Sequence, residues 1–345
     1  MNRLFIFLLL IFASSCSAEP PANTDTLFIA FWNLENLFDT IDDPNKDDQE
    51  FLPDGVKEWT NDRLDKKMYN LARVINYMND FKAPDAFGVV ECENQAILEV
   101  LVSKYFKDRN YKIAYAESPD NRGIDCGFIY DADKFKFLST KDYQIKKLSS
   151  SPTRSILNIT LQTKNGEEII FFVNHWSSRR NGASESEYKR VEAAKVLKRE
   201  VDRIFDKNGY AKIIIMGDFN DEPVDEAILK TLGADPFKCD PSNNRNVQIL
   251  GKELYNLSYN LFEQGLGTIS FRGDWNLFDQ IIISSGLVTQ KGLSYLCDSF
   301  DIFSSDLVAT RSGKYKGTPF PTYGGNRYLG GYSDHFAVSA KFILR

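Results

Sequence analysis

Short apolar segments alternate along this chain with longer segments in which apolar residues recur every three or four positions. The short segments have the length and composition of buried strands, and they lie at 27–33, 86–90, 111–116, 125–130, 155–161, 168–174, 212–217, 278–284 and 336–344. The longer segments predict amphipathic helices at 64–78, 98–105 and 191–204, and Ser184 and Glu187 predict a capping box that opens the third. No linker interrupts this order. The sequence therefore predicts one α/β domain with buried sheets and outer helices.

The composition is that of a globular protein with a small excess of acidic residues. Hydrophobic residues make up 43% and charged residues 26% of the 345 residues, which excludes a disordered or collagen-like chain. The 42 lysines and arginines are outnumbered by 48 aspartates and glutamates, for a net charge of −6. Because there is no global basic field, the chain would need local arginines or a metal ion to hold a polyanion.

The first residues are typical of an export signal. Arg3 precedes an apolar run at 4–13, and small residues follow that run, which is the order found in a secretory signal peptide. The run is too short to span a bilayer. Cys16 resembles the lipidation site of a bacterial lipoprotein, although Ala13 stands where that pattern usually has leucine. Cleavage near Ala18, with loss of Cys16, is the alternative.

These features predict three parts of the chain: a signal peptide at 1–18, a polar tether at 19–26 and a folded domain at 27–345. We expect the mature protein in the cell envelope, either anchored by lipid to a bacterial membrane or free in the periplasm or the medium. The lipid anchor would be its contact with the membrane, and the domain would act as a monomer.

Four cysteines follow the predicted signal peptide: Cys92, Cys126, Cys239 and Cys297. None of their spacings is typical of a zinc site, and four cysteines allow three sets of disulfide pairs. Export would permit disulfides. Cys92 and Cys126 both lie beside predicted strands, so a bridge between them and a pair of free buried thiols both remain open.

Polar side chains that could carry chemistry stand at the ends of five predicted strands. In chain order these positions are Asn33 with Glu35, Glu91 with Glu93 and Asn94, Asn174 with His175, Asp218 with Asn220, and Ser333 with Asp334 and His335. The chain has only two histidines, and both lie at such positions. Asp279 stands at the start of an apolar strand, where an unpaired carboxylate would be costly.

Each of these residues has an ordinary structural interpretation when it is taken alone. Asp or Asn after a strand often forms a turn, Glu91 could cap a helix, and a single histidine is most often a core residue. The ordered set, with both histidines beside Asn or Asp, indicates a shared site instead. The acidic loop at 39–50 lacks the spacing of an EF-hand, and we interpret it as a solvated loop near the mouth of that site.

The motifs FWNLENLF, GVVECEN, SPDNRGIDCGFIYD, NHWSSRR, IIIMGDFNDEP, WNLFDQIIIS and YSDHFAV span residues 31–338. This ordered set resembles the endonuclease/exonuclease/phosphatase superfamily, which has the DNase I-like fold, and is most similar to its bacterial extracellular nuclease-like members. One departure is Val90, where the family often has glutamine before the metal-binding glutamate. That change removes a hydrogen bond but keeps the metal ligand.

The resemblance implies a four-layer α/β/β/α sandwich of two mixed β-sheets and hydrolysis of a phosphate ester with Mg²⁺ or Mn²⁺, with Ca²⁺ as a further option. Oxygen ligands and few histidines suit such hard cations better than zinc. By position, Asn33 and Glu91 would hold the main metal ion, with Asp334 as a candidate for a second. Asp218 and Asn220 would orient or deprotonate the attacking water and bind the phosphate.

The resemblance also places two histidines beside the reacting phosphate. His335, paired with Asp279, would be a hydrogen-bond donor or a general acid/base, and His175, oriented by Asp125, would be the second such group. The candidates for binding phosphate oxygens are Arg122, Arg154, Arg179 and Asn174. Whether one metal ion or two take part is left open.

The first function predicted is an exported nuclease that hydrolyses phosphodiester bonds of DNA or RNA. The alternative is a phosphatase or phospholipase C-like esterase acting on phosphorylated sugars, inositol phosphates or lipid headgroups. The histidine of the NHW motif favours the nuclease, whereas the acidic net charge slightly disfavours it. A catalytically inactive binding protein on the same fold is a third hypothesis, and the complete set of expected metal and acid/base residues argues against it.

Overall fold

The computed structural model describes residues 25–146, 152–180, 182–239, 251–289 and 291–344. In chain order its strands are β1 (Asp25–Leu37), β2 (Ala86–Cys92), β3 (Tyr111–Ala116), β4 (Asp125–Asp131), β5 (Phe135–Tyr143), β6 (Ile156–Thr163), β7 (Glu168–His175), β8 (Ile213–Asp218), β9 (Ala234–Pro236), β10 (Leu254–Asn256), β11 (Ile269–Phe271), β12 (Asp274–Asn276), β13 (Asp279–Ser284), β14 (Leu293–Tyr295), β15 (Asp301–Phe303), β16 (Tyr323–Gly324), β17 (Arg327–Tyr328) and β18 (Ala337–Leu344). The α-helices are α1 (Asn61–Phe81), α2 (Gln95–Tyr105), α3 (Ala183–Lys207) and α4 (Tyr259–Glu263), and a π-helix spans Glu226–Leu232.

Most of the strands form two mixed sheets. The first has the order β14-β18-β1-β2-β4-β3, with β15 also paired to β18, and the second has the order β5-β6-β7-β8-β13-β10-β9. In the first sheet β1 runs parallel to β2 and antiparallel to β18. In the second, β8 runs parallel to β7 and antiparallel to β13. The prediction of two mixed sheets is confirmed.

The two sheets pack face to face, and helices cover their outer faces. Phe128 of the first sheet and Phe171 of the second have ring centroids 4.7 Å apart. Gly88 allows this approach, because a Cβ at that position would lie 2.7 Å from the sulfur of Met216. Helices α1 and α2 bury their apolar stripes against the first sheet, and α3 does so against the second. The predicted α/β/β/α sandwich is therefore confirmed.

Strand direction brings the polar strand ends to one edge of the sandwich. Strands β1, β2, β7 and β8 end at that edge, while β4, β13 and β18 begin there. His175 and Asp279 both pair in register with Asp218, one from each side. Because parallel neighbours end at the same edge of a sheet, residues far apart in the sequence meet in one place.

The start of α3 differs from the prediction. The helix begins at Ala183, and Gly182 is its N-cap without a side-chain hydrogen bond, so the capping box of Ser184 and Glu187 is wrong. Ser184 lies in the first turn, where its hydroxyl donates to Glu185 at 3.2 Å. A capping box would need Ser184 as the N-cap residue, whereas the N-cap is Gly182, two residues earlier in the sequence.

The folded domain also begins earlier than predicted. Asp25 and Thr26, assigned to the end of the tether, already pair with β18 as the first residues of β1. The predicted signal peptide at 1–18 and the lipidation site at Cys16 lie outside the described residues. None of the helices in the described part of the chain is long and apolar enough to cross a membrane.

The described cysteines form one disulfide and leave two thiols free. Cys239, just after β9 in the second sheet, is bonded to Cys297, just after β14 in the first. Cys92 and Cys126 are buried free thiols, so the bridge that the sequence left open between them is not formed. The bonded residues are 58 positions apart, and the crosslink therefore restricts a long loop of the unfolded chain.

Candidate active site

Asp218, the last residue of β8, lies at the centre of the polar cluster. Its Oδ2 accepts a hydrogen bond from Asn33 Nδ2 at 3.1 Å, and its Oδ1 accepts one from the backbone N–H of Asn220 at 3.0 Å. His175 Nε2 lies 3.7 Å from Asp218 Oδ2 and 3.6 Å from Glu91 Oε1. The structure thus brings together five of the predicted site residues, contributed by four different strands or their ends.

The backbone around these residues is held in uncommon conformations. Glu35, Asn36, Glu91 and Asn220 have φ values of 52°, 55°, 60° and 50°. The register between β1 and β2 shifts between Asn33 and the end of β1, so a bulge accompanies this strain. Each such residue costs on the order of 1 kcal/mol or more and persists only where its surroundings fix it. One of the contacts that fix this backbone is a hydrogen bond from the N–H group of Asn36 to Glu91 Oε2 at 3.0 Å.

His335 and Asp279 form a buried hydrogen-bonded pair. His335 Nδ1 lies 2.7 Å from Asp279 Oδ2, and the hydroxyl of Thr268 donates to the same oxygen. The backbone N–H of His335 donates to Ser333 Oγ at 3.0 Å, which in turn donates to the carbonyl of Asn33 at 2.7 Å. These bonds fix the ring, so that Nε2 faces Asp218 at 3.9 Å and is the nitrogen available for chemistry.

The two histidines have opposite electrostatic environments. Burial by itself disfavours a charged His335, but the carboxylates of Asp279, Asp334 and Asp218 outweigh it and raise the pKa of His335 well above its ordinary value. Burial lowers the pKa of His175 well below its ordinary value, and the positive charges of Arg154, Arg122 and His335 lower it further. A charged and a neutral imidazole therefore flank the same carboxylates, an arrangement that suits acid–base chemistry.

Two of the predicted arginines lie beside His175. Arg154 is buried, donates to the carbonyl of Trp176 at 2.7 Å and to Asp120 at 3.3 Å, and keeps a buried Nε without a partner among the described residues. Arg122 pairs with Asp120 at 3.4 Å, and 44% of its side chain is exposed. Arg154 thus has hydrogen-bonding capacity left over, and Arg122 can reach solvent.

The structure does not direct Arg179 toward the cluster. Its Nε donates to the carbonyl of Asn220 at 2.7 Å, and its Nη2 is paired with the carboxylates of Asp221 and Asp225. Two carboxylates and a carbonyl already satisfy this guanidinium, so it holds the loop after β8 rather than being free for a phosphate. The prediction that Arg179 binds phosphate is corrected to this positioning role.

Asn174 is likewise occupied inside the fold. The side chain is fully buried, its Nδ2 donates to the carbonyl of Met216 at 3.2 Å, and its Oδ1 accepts from Trp176 Nε1 at 3.2 Å. These bonds join β7 to β8 and to the residue after His175. The amide is therefore not available to a substrate, contrary to the prediction.

Asp125 does not orient His175. Its carboxylate accepts hydrogen bonds from the backbone N–H of Ser118 at 2.8 Å and from the hydroxyl of Tyr115. The Nδ1 atom of His175 is buried and has no hydrogen-bond partner among the described residues. Asp125 of β4 is paired in register with Cys92 of β2, so it lies at the same edge of the sandwich. Its carboxylate, however, is directed toward the loop between β3 and β4.

A buried ion pair that the sequence reasoning missed supports the bulge in β1. Lys67 Nζ lies 3.6 Å from Glu35 Oε2 and donates to Thr322 Oγ1 at 2.6 Å and to the carbonyl of Tyr332 at 2.7 Å. Burial lowers the pKa of Lys67 and raises that of Glu35, although each charge opposes the other's shift. The available signal was a lysine inside the apolar stripe of α1, beside Leu64 and Met68.

The sequence analysis interpreted the acidic loop after β1 as solvated, but part of this loop is buried. Asp48 is buried, and burial together with the charges of Asp39, Asp48 and Asp43 raises the pKa of Glu93 to about 7. Lys46 of this loop donates to the carbonyls of Ser118 and Asp120. The loop is thereby fastened beside the segment that carries Arg122.

The donor set at the cluster fits a divalent metal ion. Asp218, Asp279 and His335 each offer a ligand atom, all within 4.8 Å of one another. Asp279 Oδ2 and His335 Nδ1 are already hydrogen-bonded to each other, so the oxygens left for a metal ion are those of the buried Asp218, the mostly buried Glu91 and the half-exposed Asp334. Burial and the charges of Asp279 and Glu91 raise the pKa of Asp218 to about 7. This excess of buried negative charge is what a hard cation with oxygen ligands would neutralise.

Comparisons with known proteins agree with the fold and identify the family. The family model described as "Endonuclease/Exonuclease/phosphatase family" matches residues 28–343, while curated proteins give no match. Among solved structures, D. rerio TDP2 complexed with a single strand DNA product has 15% identity and a TM-score of 0.55, covering 92% of this chain and 98% of its own. The human Nocturnin catalytic domain with bound sulfate has 16% identity and a TM-score of 0.55, covering 93% and 98%.

A Bacteroides thetaiotaomicron mannosyl-6-phosphatase has 17% identity and a TM-score of 0.52, covering 92% of this chain and 99% of its own. At these identities the neighbours show the fold alone, whereas the family match extends over nearly the whole described domain. The family predicted from the motifs is confirmed. This chain belongs to the endonuclease/exonuclease/phosphatase family and is a hydrolase that acts on phosphate esters.

Proposed function

We propose that the protein is an exported, divalent-metal-dependent nuclease that hydrolyses phosphodiester bonds of DNA or RNA. The observation that carries this proposal is the placement of His175 and His335 on either side of Asp218 and Glu91, with Asp279 fixing His335. Two imidazoles at one buried carboxylate cluster provide proton transfer on both sides of a phosphorus atom. Packing alone does not explain the two histidines. The Nδ1 atom of His175 is buried without a hydrogen-bond partner among the described residues, and such an atom lowers the stability of the fold.

Each site residue has a part in the proposed hydrolysis. Asp218 accepts a proton from the attacking water, which Asn220 helps to hold, while the new P–O bond forms and the bond to the leaving oxygen breaks. His335, kept in one tautomer by Asp279, donates from Nε2 to the phosphate or to the leaving oxygen. A divalent cation held by Glu91 and Asp334 beside Asp218 would supply Lewis-acid stabilisation of the phosphate charge when bound. Asn33 is the third predicted ligand, but its Oδ1 already accepts from the N–H group of Glu35 at 2.9 Å and its Nδ2 donates to Asp218, so it would position Asp218 instead.

Phosphate recognition is assigned to Arg154, Arg122 and His175. The buried Arg154 Nε has no partner among the described residues, and a guanidinium fork matches the oxygens of a phosphate. The TDP2 neighbour with a single strand DNA product supports a nucleic-acid substrate. A second candidate, hydrolysis of phosphorylated sugars, is supported by the neighbour named as a mannosyl-6-phosphatase.

A panel of substrates separates these candidates. With Mg²⁺ present, plasmid DNA, RNA, sugar phosphates, inositol phosphates and sphingomyelin are incubated with the protein, and nicking, phosphate release and headgroup release are measured. We expect plasmid nicking or RNA cleavage without release of inorganic phosphate. Phosphate release from a sugar phosphate with intact nucleic acid would transfer the assignment to a phosphatase. Absence of turnover on every substrate would favour the inactive binding protein.

Metal dependence gives the second prediction. Activity should vanish in EDTA and return with Mg²⁺ or Mn²⁺, because the proposed donors are carboxylate oxygens. Glu91→Gln, which removes one negative charge at the same shape, should raise the metal concentration needed for half-maximal activity and for half-maximal thermal stabilisation of the protein. Glu99→Gln on the exposed face of α2 is the matched control. An unchanged metal response in Glu91→Gln contradicts the assigned ligand.

The histidines give the third prediction. His335→Ala and His175→Ala should each lower kcat by about 10²- to 10⁴-fold, the scale of a lost proton-transferring group. The melting temperature of His175→Ala should change little, whereas that of His335→Ala should also fall, because it leaves the buried carboxylate of Asp279 without its partner. Rate and melting temperature are measured on the same samples. A large fall in melting temperature with near-normal specific activity would assign the histidines to packing instead.

Export and lipid anchoring through Cys16 are also proposals. The disulfide between Cys239 and Cys297 supports export, because such bonds persist in oxidising compartments. Acyl chains on an N-terminal cysteine contribute about 0.8 kcal/mol per buried CH₂, and more than one chain makes anchoring stable. The wild type should partition into the detergent phase of fractionated cells and Cys16→Ser should not, with Ser17→Ala as the control. Recovery of both proteins in the soluble periplasmic or culture fraction would overturn the anchor.

A further inference from the structure

One segment of the chain differs from the acidic composition of the rest. Residues 307–333 include no aspartate or glutamate, but they include four positively charged residues: Arg311, Lys314, Lys316 and Arg327. The chain as a whole has a net charge of −6. A segment whose charges all have one sign creates a local potential that attracts ions of the other sign. We call residues 307–333 the basic loop.

The charges of the basic loop are open to an external anion. All four positively charged residues are exposed, and none of them forms an ion pair within the part of the chain that the structure describes. Lys57, which precedes α1, adds a further positive charge, because its Nζ donates to the carbonyl of Gly325 in the loop at 2.8 Å. Unpaired charges of one sign repel one another, so the stability of the fold does not account for this group.

Hydrogen-bonded backbone holds these cations in place. The N–H group of Thr310 donates to the carbonyl of Thr318 at 2.7 Å, and the N–H group of Gly317 donates to the carbonyl of Thr310 at 2.8 Å. The turn that these bonds close carries three of the four cations. The fourth, Arg327, lies on β17, which pairs with β16. The basic loop is therefore a folded surface that presents its cations together.

The end of the basic loop is fastened to the proposed active site. The backbone N–H of Thr322 donates to Glu35 Oε2 at 2.6 Å. Ser333, the last residue of the loop, donates its hydroxyl to the carbonyl of Asn33 at 2.7 Å, and His335 lies two residues farther along the chain. A chain-like substrate that leaves the active site on this side therefore meets the positive charges of the loop.

We propose that the basic loop binds the phosphodiester backbone of a nucleic acid strand next to the phosphate that is hydrolysed. This proposal rests on the proposed nuclease function and specifies the substrate as a strand of several nucleotides. A phosphorylated sugar has a single phosphate, which the active site itself would take, and offers no anion to the loop. A strand has a negative charge at each nucleotide, and each phosphate that a lysine or arginine neutralises releases a counterion.

The experiment compares a long phosphodiester substrate with a small one. The variants are Lys314→Gln with Lys316→Gln, and Arg327→Gln alone. Lys136→Gln with Lys141→Gln is the matched control, because it removes two charges from exposed positions of β5, the edge strand of the second sheet. The Kd for a fluorescent single-stranded oligonucleotide is measured by anisotropy in EDTA at several salt concentrations. With Mg²⁺ present, kcat/KM is measured on the oligonucleotide and on bis(p-nitrophenyl) phosphate.

Each phosphate contact on a single strand contributes about 0.7 to the slope of log Kd against log salt concentration, or roughly fivefold in Kd at about 0.1 M salt. We therefore expect the double variant of Lys314 and Lys316 to raise Kd by about 5- to 25-fold and Arg327→Gln by about fivefold, both with a smaller slope. On the oligonucleotide kcat/KM should fall by a similar factor, whereas on bis(p-nitrophenyl) phosphate it should keep the wild-type value. The control should match the wild type in every quantity.

Other outcomes would overturn the proposal, each in a recognisable way. Equal losses of kcat/KM on the two substrates would mean that the basic loop only supports the active site. Unchanged Kd values and slopes in an active nuclease would remove the role of the loop but leave the nuclease function standing. A wild type that cleaves no nucleic acid would overturn the nuclease function, and the Kd values in EDTA would still decide for or against the loop. Weaker binding of the variants only to phosphatidylglycerol vesicles would reassign the loop to membrane contact.

Discussion

The crowding of buried carboxylates at one edge of the sandwich is the constraint on which the rest of the site depends. An ionised carboxylate in a buried position is unfavourable unless charges or hydrogen bonds compensate it. His335 compensates Asp279, and Asn33 together with the backbone N–H of Asn220 compensates Asp218. These bonds do not suffice, because the pKa of Asp218 is still raised to about 7. The remaining negative charge is the physical basis for expecting a bound cation.

A site of this kind must also be held rigidly, because hydrolysis depends on the positions of a few atoms. The bulge in β1 and the strained backbone of Glu91 are fixed from two directions. Glu91 itself is bonded to Asn36, and Glu35 is bonded to the backbone of the loop at 322–323 and paired with Lys67. Helix α1 thereby positions the β1 end of the site without contributing a residue to the chemistry. Removing one partner of such a buried pair would leave an uncompensated charge.

The sequence predicted the layers and the location of the site because both follow from patterns of short range. Apolar runs specify buried strands, and polar residues at the ends of parallel strands must meet at one edge. It failed where the outcome depends on which partner a side chain finds in three dimensions. Asn174, Asp125 and Arg179 have side chains that could serve in a site, but each is already engaged within the fold. Asn174 is hydrogen-bonded to a backbone carbonyl, Asp125 to a tyrosine hydroxyl and Arg179 to carboxylates. Strand β5 was missed because its residues are mostly exposed and form no apolar run.

The charge distribution reconciles an acidic protein with the polyanionic substrate that we propose for it. The net charge of −6 is a property of the whole surface, whereas a phosphate in the site responds to charges within a few ångströms, because salt screens those farther away. Arg154, Arg122 and a positively charged His335 all lie close enough to change the pKa of His175. Local positive charge therefore exists at the site despite the global excess of acid. If the substrate is nucleic acid, as we propose, the site would hold it through the reacting phosphate and the basic loop beside it rather than along an extended basic face.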